Sequence, residues 1–289
     1  MRRLTLLILV IWTLQAISFQ SSQNIRHITT DDGLSQNLIF DDIQDQKGYI
    51  WLGTKDGLNR YDGYEFRIFR NNPPDTTSLS SNHVTFVEEE QDGNLWVETR
   101  PGGLHRYDPD SERFLRINLL AGIPDAFRKA TFRGVYGSSC FGWFAATDRG
   151  LFHLSADLSQ VHSIPSPGGE PNISVHSLIP VSPDRNPVLV VGTNSNGIFR
   201  LEVKSQTTEP LEKLNRHLET SNLDRLYLDQ HRRRWMLQQG NRLVITDVEG
   251  TLLSDVKLSD GQSGAPLSFE HLSVDTNGNL WGTARYKLY

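Results

Sequence analysis

The 289-residue chain predicts an all-β fold made of one repeated unit, and three observations carry that prediction. The apolar residue after each Trp-x-Gly-Thr-like segment recurs as Leu58, Leu104, Leu151, Ile198, Leu243 and Leu288, at spacings of 46, 47, 47, 45 and 45. The Thr-like positions (Thr54, Thr99, Thr147, Thr193, Gln238 and Thr283) step by 45, 48, 46, 45 and 45. An acidic residue stands six positions before the anchor as Asp45, Glu90, Asp184, Asp229 and Asp275, and only the third unit lacks it. A fixed period of this size is the signature of a repeat architecture.

Each unit reads as four short strands. Residues 82–87 and 272–274 alternate apolar and polar side chains and run into QDGN and DTNGN, which is turn chemistry. The anchor strand follows as WLGT at 51–54, WVET at 96–99, FAAT at 144–147, VVGT at 190–193, WMLQ at 235–238 and WGT at 281–283. A tight glycine turn leads to LNRYD, LHRYD, LFHL or IFRL, and a fourth strand comes at 66–69, 114–117 and 161–164. Helical periodicity is suggested only over 211–218. Four antiparallel strands per 45 residues make one blade of a β-propeller. Six repeats are visible, and the expectation is a truncated part of a seven-bladed ring, with a six-bladed ring that just closes as the alternative. Residues 25–28 match the fourth-strand pattern without a blade of their own and are expected to close that ring.

The N-terminus reads as an address. Arg2 and Arg3 precede an apolar run over 4–14 and the small residues of Ala16-Ile17-Ser18, the order of a secretory signal peptide cleaved near Ser18. Eleven apolar residues fall short of the roughly 20 a membrane span needs. The expected division is therefore a leader over 1–18 and a propeller over 19–289. The formal charge of −5 becomes about −7 without Arg2 and Arg3, which argues against nucleic acid as a partner. A single cysteine, Cys140, excludes an internal disulfide and is expected to be a small buried hydrophobe.

The run TDDGLSQN at 30–37, then IQD at 43–45, GYIWLGT at 48–54 and DGLNRYDG at 56–63, closely resembles the first blade of two-component regulator propellers. SLSSN at 78–82, Leu95-Trp96 and GGLHRYD at 102–108 resemble the same family again. The likeness is specific over 28–117 and degenerate but in register to 289. It departs at Glu98, where the motif has glycine, in the third unit, and at 238–241. The family implies a periplasmic sensor in a hybrid two-component system: two stacked seven-bladed propellers, an immunoglobulin-like domain, one membrane helix, a histidine kinase, a receiver and a DNA-binding module. Its members sense glycan-derived oligosaccharides and switch on genes for their use. The resemblance thus implies an oligosaccharide ligand, a homodimer in the full-length receptor and a kinase domain in cis, tethered to the inner membrane. The alternative is a free-standing exported lectin-like or scaffold propeller.

Most conspicuous residues have structural readings. The aromatic and aliphatic anchors fit a blade core, and Asp45, Asp184, Asp229 and Asp275 fit turns in which a carboxylate holds backbone N–H groups. HRRR at 231–234 reads as a solvated turn before Trp235, and the Asn172-Ile173-Ser174 acceptor as idle in a bacterial protein. No nucleophile–base pair, paired carboxylates or metal-spaced histidines stand out, so no catalytic residue, metal or cofactor is assigned and the chain is not expected to be an enzyme. The candidate ligand-binding residues follow the Thr position in successive units: Lys55, Arg100, Arg149 and Asn194. Turns on a rigid scaffold carry function, and these basic ones suit a uronate or sulfate on a glycan.

Overall fold

In the computed structural model, residues 28–167, 169, 173–182, 187–229, 233–259, 264–267, 271–274, 280–284 and 287–288 are described. They form five four-stranded antiparallel sheets and one three-stranded sheet, each with its strands in chain order. Blade 1 comprises Ile39–Gln44, Ile50–Thr54, Gly57–Tyr61 and Phe66–Phe69. Blade 2 comprises Val84–Glu89, Leu95–Thr99, Gly103–Asp108 and Arg113–Arg116, and blade 3 Phe132–Ser138, Gly142–Thr147, Gly150–Leu154 and Val161–Ile164. Blade 4 comprises Val175–Ser182, Val188–Thr193, Ile198–Glu202 and Thr207–Pro210, and blade 5 Arg225–Asp229, Arg234–Gln239, Arg242–Asp247 and Leu252–Lys257. Blade 6 shows His271–Val274, Leu280–Ala284 and Lys287–Leu288. The first strands of blades 1 to 5 lie side by side in succession, so they form the inner wall of the ring. The helical expectation over 211–218 reduces to one turn, Glu212–Asn215. The leader and residues 25–27, with them the ring-closing strand, lie outside the described residues.

The apolar layers lie between blades. Trp51, Leu58 and Val84 pack with Leu95, Val97 and Tyr107 across blades 1 and 2, and Trp96 meets Trp143 across blades 2 and 3 with ring centres 5.6 Å apart. Phe144 reaches Leu189 and Val191 of blade 4, and Val190 reaches Leu226 and Leu237 of blade 5. The anchor position is therefore core in blades 1 to 5, as its periodicity requires.

The fifth blade departs by one residue. Trp51, Trp96, Phe144 and Val190 pair with Arg60, Arg106, His153 and Arg200, each two residues past the marker Leu or Ile. Trp235 pairs instead with Thr246, three past Leu243, the position Trp143 holds opposite Leu154. A slip of one residue turns every side chain to the other face of a strand. Trp235 thus packs back onto blade 4, and Met236 takes the forward position. Asp229 is the last residue of the first strand of blade 5.

The buried Thr of the anchor strand closes the next hairpin. Thr54, Thr147 and Thr193 donate through Oγ1 to the carbonyls of Gly57, Gly150 and Gly197 at 3.0, 2.7 and 2.8 Å. The same oxygens accept from turn N–H groups of Asp56, Arg149 and Asn196. Gly57 has φ +119, and a Cβ there would lie 2.5 Å from the Phe69 carbonyl, so the turn admits only glycine. Blades 1 and 2 add a second lock, in which Ser35 joins Thr54 and Asn59, and Ser80 joins Thr99 and His105.

Asp45 does what a turn carboxylate should and one thing more. It accepts from the N–H groups of Lys47 and Tyr49 at 3.0 and 2.8 Å, and from the Trp51 indole at 2.7 Å. Glu90 binds Arg106 through two bonds of 2.8 and 2.7 Å, while the buried Trp96 indole N–H has no acceptor. Asp184, Asp275, His231, Arg232 and Asn172 lie outside the described residues. Cys140 corrects the expectation, because its residue is exposed at the tip of the first turn of blade 3. The neighbouring Phe141 turns inward against Tyr136 and occupies the apolar place.

Two outcomes are expected. Trp51→Phe loses an indole bond to a carboxylate and Trp96→Phe loses none, so urea unfolding should find the first costlier by about 1–2 kcal/mol; equal costs would count against the Asp45 lock. Cys140 should react with a maleimide in the native protein as fast as in urea, and protection in the folded state would place the thiol inside.

Candidate functional site

Strand direction decides which residues share a face. The end of each second strand pairs with the start of the first, as in Ile39 with Thr54, Val84 with Thr99, Phe132 with Thr147 and Val175 with Thr193. The turns after Thr and the starts of the inner strands therefore lie on one face. Lys55, Arg100, Arg149 and Asn194 are all exposed there. They do not form one cluster. Lys55 and Arg100 act on the same imidazole, His83, whose pKa is lowered by burial first and then by these two charges. Arg149 bends away, donating from Nε to the Lys129 carbonyl at 3.0 Å, and lines a cleft of about 260 Å³ between blades 3 and 4. The Asn194 N–H is tied to the Ser174 carbonyl at 3.1 Å.

The inner strands supply basic residues that the turn-based reading missed. Each of the first four blades has a bulge at the start of its inner strand, between residues 39 and 41, 84 and 86, 132 and 134, and 175 and 177. The extra residues are Phe40, Thr85, Arg133 and His176, and a bulge re-aims the side chain it carries. In blade 5 Arg225 opens the inner strand. Arg133 has its pKa lowered by loss of water and then by Arg225 and Arg100, against the opposing pull of Asp148. His176 is pushed down to about 4 by burial, then by Arg225 and Arg133. The only sequence signal for these cations was a basic residue interrupting the alternation at the start of an inner strand.

Carboxylates occupy the wall further along. Asp41 accepts from the Val87 N–H of blade 2 at 2.8 Å, and Glu88 accepts from the Val135 N–H of blade 3, so each bridges to the next inner strand. Burial raises the Glu88 pKa to about 7, the Val135 bond opposing it and the Asp41 charge adding to it. Glu98, which replaces the motif glycine, is buried with its oxygens on Thr85 and Arg100 at 3.0 and 3.3 Å, and burial raises its pKa. Among the described residues no group of three or more His, Cys, Asp or Glu is placed to hold a metal ion. A larger cavity of about 1030 Å³ lies between blades 4 and 5, walled by Tyr136, Arg200, Trp235 and residues 209–214, and includes Arg233 of the HRRR turn.

Comparisons with known proteins return the relatives to which the repeat motifs point. No model of a protein family matches the chain. Over 83 residues it is 41% identical to histidine kinase P4 of Formosa agariphila, a match covering 28% of this chain and 6% of that protein. Its fold is similar to the extracellular domain of the putative hybrid two component system BT3049 from B. thetaiotaomicron, with a TM-score of 0.63 and 21% identity over 93% of this chain and 34% of that one. The extracellular domain of the putative one component system BT4673 of the same organism gives 0.63 and 18% identity, over 92% and 37%. The Dos1 propeller gives 0.58 and 13%, over 86% and 66%. The chain thus spans about a third of the extracellular domains it matches. Among its described residues no helix is long and apolar enough to cross a membrane.

The folded pKa of Glu88 lies above the ordinary 4.5, so its contribution to stability is complete below pH 4.5 and is lost as pH rises through about 7. Glu88→Gln removes that loss. The melting temperature of the variant relative to the parent should rise between pH 5 and pH 8, and a difference that stays flat with pH would dispose of the assignment.

Proposed function

We propose that this chain is the ligand-sensing propeller of a hybrid two-component histidine kinase, exported to the periplasm and tethered to the inner membrane in the full-length protein. The observation that carries the proposal is the 41% identity to a histidine kinase over 83 residues. The fold likeness to extracellular domains of such systems supports the same reading. The ligand is an oligosaccharide released from a glycan, and the response is expression of genes for its use. Lys55, Arg100, Arg149 and Asn194 are rim residues that meet uronate or sulfate groups of such a ligand at separate points of the face. Binding favours one arrangement of a homodimer over another, since a ligand shifts an equilibrium only by its difference in affinity for the two states. The kinase in cis reads that shift.

The reading frame beyond codon 289 tests this directly. Further repeats, one apolar span and a kinase should follow, and purified receptor in vesicles should change its autophosphorylation rate with an oligosaccharide from the inducing glycan. A stop codon after Tyr289 would end the signalling account and leave a free-standing exported lectin-like or scaffold propeller.

A further inference from the structure

We propose that the face of the ring where the inner strands begin holds an anion site centred on Arg133 and Arg225, completed by Arg100, His83 and His176, that takes a carboxylate or sulfate carried on a sugar. For the sugar carrier the inference rests on the proposed function; the anion site stands on geometry.

Backbone contacts bring the members together. The Leu226 N–H donates to Ser177 Oγ at 3.2 Å, which sets Arg225 beside His176 across blades 4 and 5. A Cβ on Gly134 would lie 3.9 Å from the Leu178 Cβ, which sets Arg133 beside the same strand from the other side. The Arg100 N–H donates to the His83 carbonyl at 2.8 Å, joining the blade 2 turn to its own inner strand. The bulges at Arg133 and His176 take these side chains out of the alternation that would bury them between blades.

Counter-charge at the set is only partial. Neither Arg133 nor Arg225 has a salt-bridge partner among the described residues. Asp148 is the carboxylate that faces Arg133, and its Oδ1 accepts the Thr131 N–H at 2.8 Å. Glu98 is engaged with Arg100 and Thr85. The Nε2 atom of His83 is buried without a hydrogen-bond partner, whereas the His176 imidazole is held by backbone groups of Thr193 and Leu223. Like charges held together with imidazoles that cannot easily protonate are relieved by an anion, which all of these groups can bond. The forked guanidinium suits the paired oxygens of a carboxylate or sulfate. Phe40 adds an exposed apolar face 4.7 Å from the His83 ring, a surface that a sugar ring can cover and a bare ion cannot use.

The probe is dextran sulfate, titrated calorimetrically into the chain at low salt beside unsulfated dextran and sodium sulfate. Dextran sulfate should bind, dextran should give no heat, and sodium sulfate should bind more weakly per sulfate. Arg133→Gln with Arg225→Gln should weaken dextran sulfate roughly tenfold or more, while Arg67→Gln, an exposed cation of blade 1, should leave it unchanged. Replacing the same two arginines with lysine, which keeps the charge and loses the fork, should give an intermediate affinity and guards against a glutamine variant that fails to fold. Unchanged binding in both double variants, or an equal loss in Arg67→Gln, overturns the site. Equal affinity per sulfate for the ion and the polymer overturns the sugar carrier. Failure of the sensor reading would instead show in the reading frame, independently of these titrations.

Discussion

Each of blades 1 to 5 is a single sheet with apolar faces that are buried by the blade lying against them. Leu95 and Val97 need Trp51 in front of them, Trp143 needs Trp96, and Leu226 and Leu237 need Val190. No blade owns a core, so the stability of each comes from its neighbours, as expected for an array of repeats. Burying an aromatic side chain of this kind contributes a few kcal/mol. The summed interfaces, with the Thr and glycine locks that hold each hairpin in register, set the ring.

That dependence divides the labour within a blade. Second strands face neighbours on both sides and are mostly apolar and small, while third strands also carry Arg60, Arg106, His153 and Arg200 opposite the anchors. The turns after Thr and the bulged positions of the inner strands stand outside the packed layers, so charge can gather there without disturbing them. Arg133, Arg225 and the rim cations use that freedom on one face. Asp41 and Glu88 bridge inner strands further along the wall, and the cost of burying Glu88 is what moves its pKa toward neutrality.

Most of the architecture was legible because it is periodic. The 45-residue step places the hairpins, the Thr positions and the core anchors. Trp235 is core as the pattern expects, but on the opposite face of its strand from the other anchors. Sequence spacing alone does not say which of two adjacent residues faces forward, and pairing with Thr246 shows that Trp235 faces back. Cys140 misled for a related reason. Small apolar character argues for burial, but at a turn tip the larger Phe141 won the inward place.

The candidate site divides in the same way. Lys55, Arg100, Arg149 and Asn194 share one face as position alone requires, because a turn that recurs at a fixed phase must open on a fixed face. That Lys55 and Arg100 bear on one histidine, while Arg149 bends to a carbonyl, is a matter of side-chain reach. Arg133 and Arg225 were invisible, because their nearness is created by bulges and by strands about 90 residues apart coming to lie around one axis. By itself the sequence determined the repeat, the strand count per blade and the rim, since these follow from local pattern and period. Only the tertiary structure decided the facing of blade 5, the exposure of Cys140 and the gathering of charge, since these depend on what packs against what across the ring.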